Sequence, residues 1–388
     1  MAGFSSLDSL VSNVSNSGKF FRADWNKNHA TAGTVIAGSW QGLLGGAGNP
    51  IANAQLGAGT TLVQHPMYDF TTAIASGGIQ HGGNVNAAWD GFKVILNASA
   101  FSAATPLAPC VMMLVDLLTV TPLLNATIST TGTKTLVNTE AVTFSSSSGL
   151  LMTTVADYDT FTPCSFTTSG ALPVGLVAGT IYWTVRVGAT TSRLATTLQN
   201  AIAGTVIAFT DAGSGTNTFT QRNPRYADGA GVQGFLVAST AGTAGTTTFQ
   251  LTYTNSAGTG SRTTPSSPAL PTNNATAPLL TIPYSGIGSG KYGPFFPLQG
   301  ADAGIRTTQN IILASSGVTT GVYNYCTARP LLTLPITTLG VASERDLVNQ
   351  LPSMPRVYDG ACLVWLMYSG AATVNNASIF GHVDLGWS

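Results

Sequence analysis

The hexapeptide GSGKYG, Gly288 to Gly293, has the G-x-G-x-x-G spacing of a turn that lets a backbone close on a pyrophosphate. That chemistry needs a helix N-terminus directly after the turn, and Pro294 follows at once instead. A Walker loop fails on the same stretch, because Ser285 takes the place of the first Gly and Tyr292 replaces Ser/Thr. No G-x-S-x-G nucleophile elbow occurs. His29, His65, His81 and His382 stand apart, so none has a second imidazole at zinc-binding spacing. Glycoside hydrolysis needs two carboxylates across a cleft. Asp157 and Asp159, at i and i+2, could share a strand face for that purpose; as solvated turn residues they would do no chemistry. The DAGSGTN stretch at Asp211 lacks the carboxylate density of a calcium loop and reads as a hairpin turn. The expectation is a protein without catalytic residues, metal or cofactor.

The remaining candidates are for contact. Phe20, Phe21, Arg22 and Trp25 form an aromatic and basic cluster near the N-terminus. QRNPRYADGAG gathers Arg222, Arg225 and Tyr226, and ERDLVNQLPSMPRVYDG gathers Arg345, Arg356 and Tyr358. Arg, Tyr and Trp are enriched where interfaces bind tightly. Intramolecular pairing of these arginines with Asp228, Asp346 or Asp359 would explain them equally.

Composition narrows the partners. Only 8% of the 388 residues are charged, against roughly 25% in an ordinary soluble domain. Lys+Arg and Asp+Glu are 15 each, and no basic stripe exists to meet a nucleic acid backbone. Mean hydropathy is +0.25, which with 44% hydrophobic residues argues against disorder. A neutral surface repels its own copies weakly and suits a chain held in an assembly. The most apolar run, Ala108 to Leu124, is shorter than the roughly 18–20 residues of a membrane span and contains Asp116, so it reads as buried core. Residues 1–30 lack a signal-peptide pattern. Cys110, Cys164, Cys326 and Cys362 are far apart, and free buried thiols fit better than a disulfide framework, although three connectivities are possible.

β signals dominate the elements that must carry these residues. FKVILN, FQLTYT and ASIFGHVDLGW alternate, while ACLVWLMYSG is apolar throughout, as in a strand covered on both faces. Two helices are expected: one with Leu7, Leu10, Val11 and Val14 on a face, ended by Gly18, and one over SERDLVNQLP capped by Ser343. Residues 1–60 read as a wrapping arm. Residues 126–221, dense in Thr, Ser and Gly with evenly spaced strands, read as a small β-sandwich module inserted into an outer domain of 1–125 plus 222–388. Within it, Ile181, Trp183, Val185 and Val187 are expected on the buried face of a strand, with Tyr182, Thr184 and Arg186 outside, and residues 203–220 as a hairpin. The fold class is all-β, sandwich or jelly-roll-like, with a few short helices.

The phrases VTFSS, SGALPVGLVAGTIYWTVRVGATTSRLATT and AGTVIAFTDAGSGTNTFT, from Val142 to Thr220, resemble a β module recurrent in virion proteins of tailed bacteriophages. RYADGAGVQGFLV, FFPLQGADAGIR and VASERDLVNQLPSMPRVYDGACL are similar to text of phage head-associated proteins. The resemblance covers about two-thirds of the chain and brings no catalytic residue with it. It implies a structural protein on the capsid exterior, made in the bacterial cytoplasm. A head decoration (cement) protein fits best. Its implied partners are the major capsid protein and further copies of itself, as dimer or trimer, without nucleic acid or membrane. The alternatives are a receptor- or glycan-binding tail or capsid-fibre protein that meets host-surface glycan, the major capsid subunit, and a capsular depolymerase.

Overall fold

The computed structural model describes residues 4–29, 38–45, 48–53, 55–56, 62–71, 74–81, 92–102, 110–123, 131–145, 151–240, 248–266, 280–281, 293–313, 322–349, 354–370 and 377–388. Its architecture is all-β, with named strand pairings that are antiparallel throughout.

Among the described residues three larger sheets make the body, with the two-stranded pair Asp69–Thr71 and Ile74–Ala75 beside them. The central one runs in the order Gln233–Thr240, Val322–Ile336, Cys110–Leu123, Leu363–Ser369, Ser39–Gly42 and Leu280–Thr281. Its inner strands are apolar on both faces because both faces are covered. Leu363, Trp365 and Met367 point into one core, and Val364 and Leu366 into the other. The first core is closed by a flanking sheet ordered Ser343–Asp346, Lys93–Ser102, Ala377–Trp387, Phe20–His29 and Gly48–Asn49. The second is closed by Arg262–Thr263, Phe249–Asn255, Ile305–Leu313 and Gly132–Thr135. The body is thus a sandwich with a third layer, and the run Ala108 to Leu124 supplies its middle strand.

The strands Thr139–Ser145, Leu151–Thr153, Thr191–Ala195, Tyr182–Gly188, Pro163–Thr168 and Asn217–Gln221 pair in that order and close into a barrel. Small barrels fill their interiors with side chains. Here Phe144, Phe166, Phe219, Tyr158 and Met152 do so, with Tyr158 and Phe219 ring centroids 4.5 Å apart. The body contributes Val63 to this core. The barrel's entry and exit lie side by side, Gln221 N donating to the Asn138 carbonyl at 2.7 Å. Gly132–Thr135, inside the expected insert, pairs with Ile305–Leu313 and so lies in the body.

Several local expectations are corrected. The strand Tyr182–Gly188 has the opposite phase: Tyr182 and Thr184 are buried, while Val187 is 55% exposed. The interior gives both hydroxyls partners. Tyr182 accepts from Val177 N at 2.7 Å, and Thr184 donates to the Asp159 carbonyl at 2.6 Å. The PVG turn before it places Gly175 at φ +104°, a backbone conformation that glycine adopts without a Cβ penalty. Residues 203–220 are not a hairpin, since Asn217–Gln221 pairs with Thr139–Ser145 and Pro163–Thr168. SERD is not a helix start. Ser343–Asp346 fills an edge position beside Lys93–Ser102, and the Asp346 carboxylate caps the following turn through Val348 N and Asn349 N. Within residues 1–60, read as a wrapping arm, Phe20–His29 and Ser39–Gly42 are paired strands of the body. The helix Leu7–Val11 forms as expected, continues as a π-turn over Ser12–Asn16, and meets Gly18 at φ +63°. A second short helix spans Leu198–Ile202. All four cysteines are buried and free.

Candidate functional site

The segment leaving the barrel, residues 222–226, turns sharply into the body and carries Arg225 inward. Its guanidinium meets Asp116 in two bonds, Nη2 to Oδ1 at 2.6 Å and Nε to Oδ2 at 2.9 Å. The other N–H groups donate to the carbonyls of Met67, Gly360 and Leu117, each at 2.9 Å. All five donors of the planar fork are therefore engaged. Burial would pull the Arg225 pKa down, but the adjacent Asp116 more than offsets it and the net shift is upward. Asp116 also accepts from Cys362 N at 3.1 Å.

Around this anchor the barrel and the body leave two recesses on either side of Trp183. One, about 570 Å³, is lined by Ile181, Trp183, Pro224, Tyr226, Asp228 and Arg329 among others. The other, about 430 Å³, is bounded by Tyr68, Phe70, Trp183, Leu198, Tyr358 and Asp359 among others. Trp183 lines both because its strand turns that face out of the barrel. Tyr226 and Tyr358 meet edge to face at 5.2 Å. Arg329 lies 4.3 Å above the Tyr226 ring, and Arg356 4.3 Å above that of Tyr358. Tyr68 and Phe70 stack at 5.3 Å, and the Tyr68 hydroxyl donates to the Phe161 carbonyl of the barrel at 3.1 Å. His65 Nδ1 and Asp159 Oδ2, 2.7 Å apart, add another tie between the two parts.

The structure brings four of the ten contact candidates together here, Arg225, Tyr226, Arg356 and Tyr358, while Arg222 donates to Ser165 Oγ of the barrel and Arg345 lies on the edge strand opposite Ala98. Arg225 and Tyr226 are buried, so Arg225 is a structural anchor and not a surface contact. Its acid is Asp116, not Asp228, Asp346 or Asp359. Phe20, Phe21, Arg22 and Trp25 lie elsewhere, in the flanking sheet. Trp25 faces the interior against Trp365 at 5.3 Å, which removes it from any surface. Arg22 is paired across the strands with Asp384 at 2.7 and 2.8 Å. Phe21 is half-buried, and Phe20 is 40% exposed.

Chemically the recesses offer aromatic faces beside guanidinium groups, the makings of a binding surface. Their two carboxylates, Asp228 and Asp359, line different recesses. Asp157 is held by Arg186 at 2.7 Å, and Asp159 by His65. Among the described residues no group of three His, Cys, Asp or Glu is placed to hold a metal ion. No helix among them is long and apolar enough to cross a membrane. GSGKYG lies outside the described residues except for Gly293. Sequence reasoning missed Trp183, Tyr68 and Asp116. Only Asp116 had left a signal, as a lone charge in an apolar run.

No family model matches this chain, and no curated protein does. Among solved structures it is similar to the VP2 subviral particle of infectious bursal disease virus, at 9% identity and a TM-score of 0.16, over 97% of this chain and 85% of that one. The Gx strain of that virus is matched at 10% identity and a TM-score of 0.15, over 100% and 87% of the two chains. T=1 particles derived from it are matched at 10% and 0.16, over 97% and 82%. At these TM-scores the likeness carries no argument about fold or function.

Proposed function

We propose that this chain is a structural protein of a tailed-phage virion that binds the assembled capsid lattice as a head decoration protein, in more than one copy. The sequence resemblance supports it. The structural observation that carries it is where the charge goes. Arg225–Asp116 and Lys93–Asp359 lie inside the body, and Arg22–Asp384 and Arg262–Asp302 hold neighbouring strands or loops together. With only 8% of the residues charged, the described surface also shows apolar side chains. These include Leu7 and Phe20 on the body, and Val155, Val174, Val177 and Val187 on the barrel, 82, 63, 63 and 55% exposed. A braced interior with a weakly self-repelling exterior suits a permanent place on a shell. Co-sedimentation of the purified protein with expanded capsids tests the reading. So does heat and osmotic challenge of particles lacking it. No binding together with unaltered resistance would sink it.

The cleft favours a second reading, host-surface glycan binding. Trp183 lines both recesses with an aromatic ring of the kind on which sugars stack, and Tyr358, which carries Arg356 over its ring, and Arg329 stand beside it. A glycan array probed with the full chain tests it, and a blank array removes it. Nothing at Asp157 and Asp159 favours a depolymerase, since Asp157 is paired with Arg186 and Asp159 is hydrogen-bonded to His65.

A further inference from the structure

Lys93 opens the strand Lys93–Ser102 with its side chain turned inward. Nζ lies 3.2 Å from Asp359 Oδ1, and the two side chains are 1% and 4% exposed. Nζ is also 3.2 Å from His81 Nδ1. His81 Nε2 is 2.8 Å from the Ala361 carbonyl, which can only accept. The imidazole proton is therefore on Nε2, and Nδ1 turns its lone pair to the lysine. Burial first, and the Lys93 charge next, hold the His81 pKa down to about 3, so the ring is neutral.

The backbone imposes this arrangement. Val357 is the cross-strand partner of Lys93, and Asp359 follows two residues later. The turn after it is fixed by Ala361 N donating to the Tyr358 carbonyl at 2.9 Å. A carboxyl group, an amine and a proton acceptor thus stand together in a buried site, with Nζ 3.2 Å from both a carboxylate oxygen and the imidazole Nδ1, which spares the reaction the entropy of bringing them together. Desolvation penalises both ions of a buried pair, which favours the neutral amine and neutral acid. Burial lowers the Lys93 pKa, and Asp359 opposes that shift.

We propose that Lys93 and Asp359 are joined by an intramolecular isopeptide bond, formed with His81 as the proton acceptor. The ammonium first gives a proton to the carboxylate. The Nζ lone pair then attacks Cγ, and the Nζ–Cγ bond forms. The nitrogen, now cationic and strongly acidic, passes a proton to His81 Nδ1, for which a weak base suffices. His81 returns that proton to the departing hydroxyl as the Cγ–O bond breaks, and one water leaves. Nothing is oxidised or reduced, and no co-reactant is required. The bond ties the flanking sheet to the turn that enters Leu363–Ser369 of the central sheet. It crosslinks two layers and does not depend on what the protein binds.

The test is the intact mass of the purified full chain under denaturing conditions, followed by peptide mapping. The expected result is a mass one water below that of the sequence, with a branched peptide containing Lys93 and Asp359. Lys93→Arg and Asp359→Ala should each restore the full mass. A wild-type chain at full mass, or water lost from any other pair of residues, would overturn the proposal. His81→Gln should leave newly made protein at full mass with slow conversion afterwards, and conversion at the wild-type rate would overturn the part given to His81. The wild-type peptide map decides the bond itself whether or not any variant folds.

Discussion

Arg225 and Asp116 are 109 residues apart in sequence and meet in the interior through two hydrogen bonds, 2.6 and 2.9 Å long. Asp116 belongs to the middle strand of the body, and Arg225 to the segment that leaves the barrel. The pair therefore fixes how the barrel's exit is seated. Removing one partner of a buried pair leaves an uncompensated charge and costs about 3–5 kcal/mol. Asp116→Asn and Arg225→Met should each lower the unfolding free energy by that order, read as a lower urea midpoint at unchanged m. The double variant Asp116→Leu with Arg225→Met should unfold at a higher midpoint than either single one. Single variants with a wild-type midpoint would show that the pair is not what holds the segment.

Lys27 is buried in the flanking sheet, its Nζ donating to the Gly45 carbonyl at 3.1 Å. Burial lowers its pKa from 10.5 to about 8. Between those values the folded chain binds fewer protons than the unfolded one. Stability therefore rises with pH across that window and is lost as pH falls through about 8. Near neutral pH the charged lysine destabilises the fold. Lys27→Met should raise stability at pH 7 by about 1–2 kcal/mol, less than the full linkage value because the Gly45 carbonyl loses its donor. It should also flatten the alkaline rise. Urea titrations at several pH values measure both, and an unchanged pH slope would refute the assignment.

Residues 1–17 and 18–30 have different standing. The helix Leu7–Val11 buries Leu10 and exposes Leu7 and Val11, whereas Phe20–His29 is an interior strand of the flanking sheet paired with Ala377–Trp387. Deleting 1–17 should leave a folded protein of slightly lower melting temperature. Deleting 1–30 should remove Ala23 and Trp25 from the core and abolish cooperative unfolding. A cooperative melt from the longer deletion would show that Phe20–His29 is dispensable to the core, as a wrapping arm would be. If the helix contacts the lattice, only the shorter deletion is fit to reveal it.

How far the chain could be read in advance follows from how local each signal was. Phe249–Asn255 alternates in sequence and in burial alike, since one face of that strand meets the core. Leu363–Ser369 was legible as doubly covered because no polar residue interrupts it before Tyr368. The strand at Tyr182 misled because Ile181, Trp183, Val185 and Val187 are the more apolar set. Part of that outer face is covered at the barrel root, while Tyr182 and Thr184 go inside with bonded hydroxyls. At Ser343–Asp346 a good local cap lost to an open edge of the flanking sheet, a tertiary override of propensity. Asp116 announced that it needed a partner, but nothing nearby could name Arg225. The cleft was invisible for the same reason: its walls come from residues 68, 70, 181, 183, 197–199, 223–228, 230, 329 and 358–360.

The barrel has its own aromatic core and adjacent ends, which leads us to propose that it folds as a unit. Among the described residues its core takes Val63 from the body, and Val137, just ahead of the barrel, packs against it. Excised residues 138–222 should therefore melt cooperatively and keep the near-ultraviolet circular dichroism of packed tyrosine and tryptophan. Phe166 touches Phe144, Phe219 and Tyr182 at 5.5–6.0 Å between ring centroids. Its replacement by Ala should cost about 3–5 kcal/mol. In the isolated barrel that loss should unfold the fragment. In the full chain it should split the melt, with the barrel lost first and the three-layered body later. A fragment without a cooperative transition, or a full chain that still melts in one step after Phe166→Ala, would mean that barrel and body are a single cooperative unit.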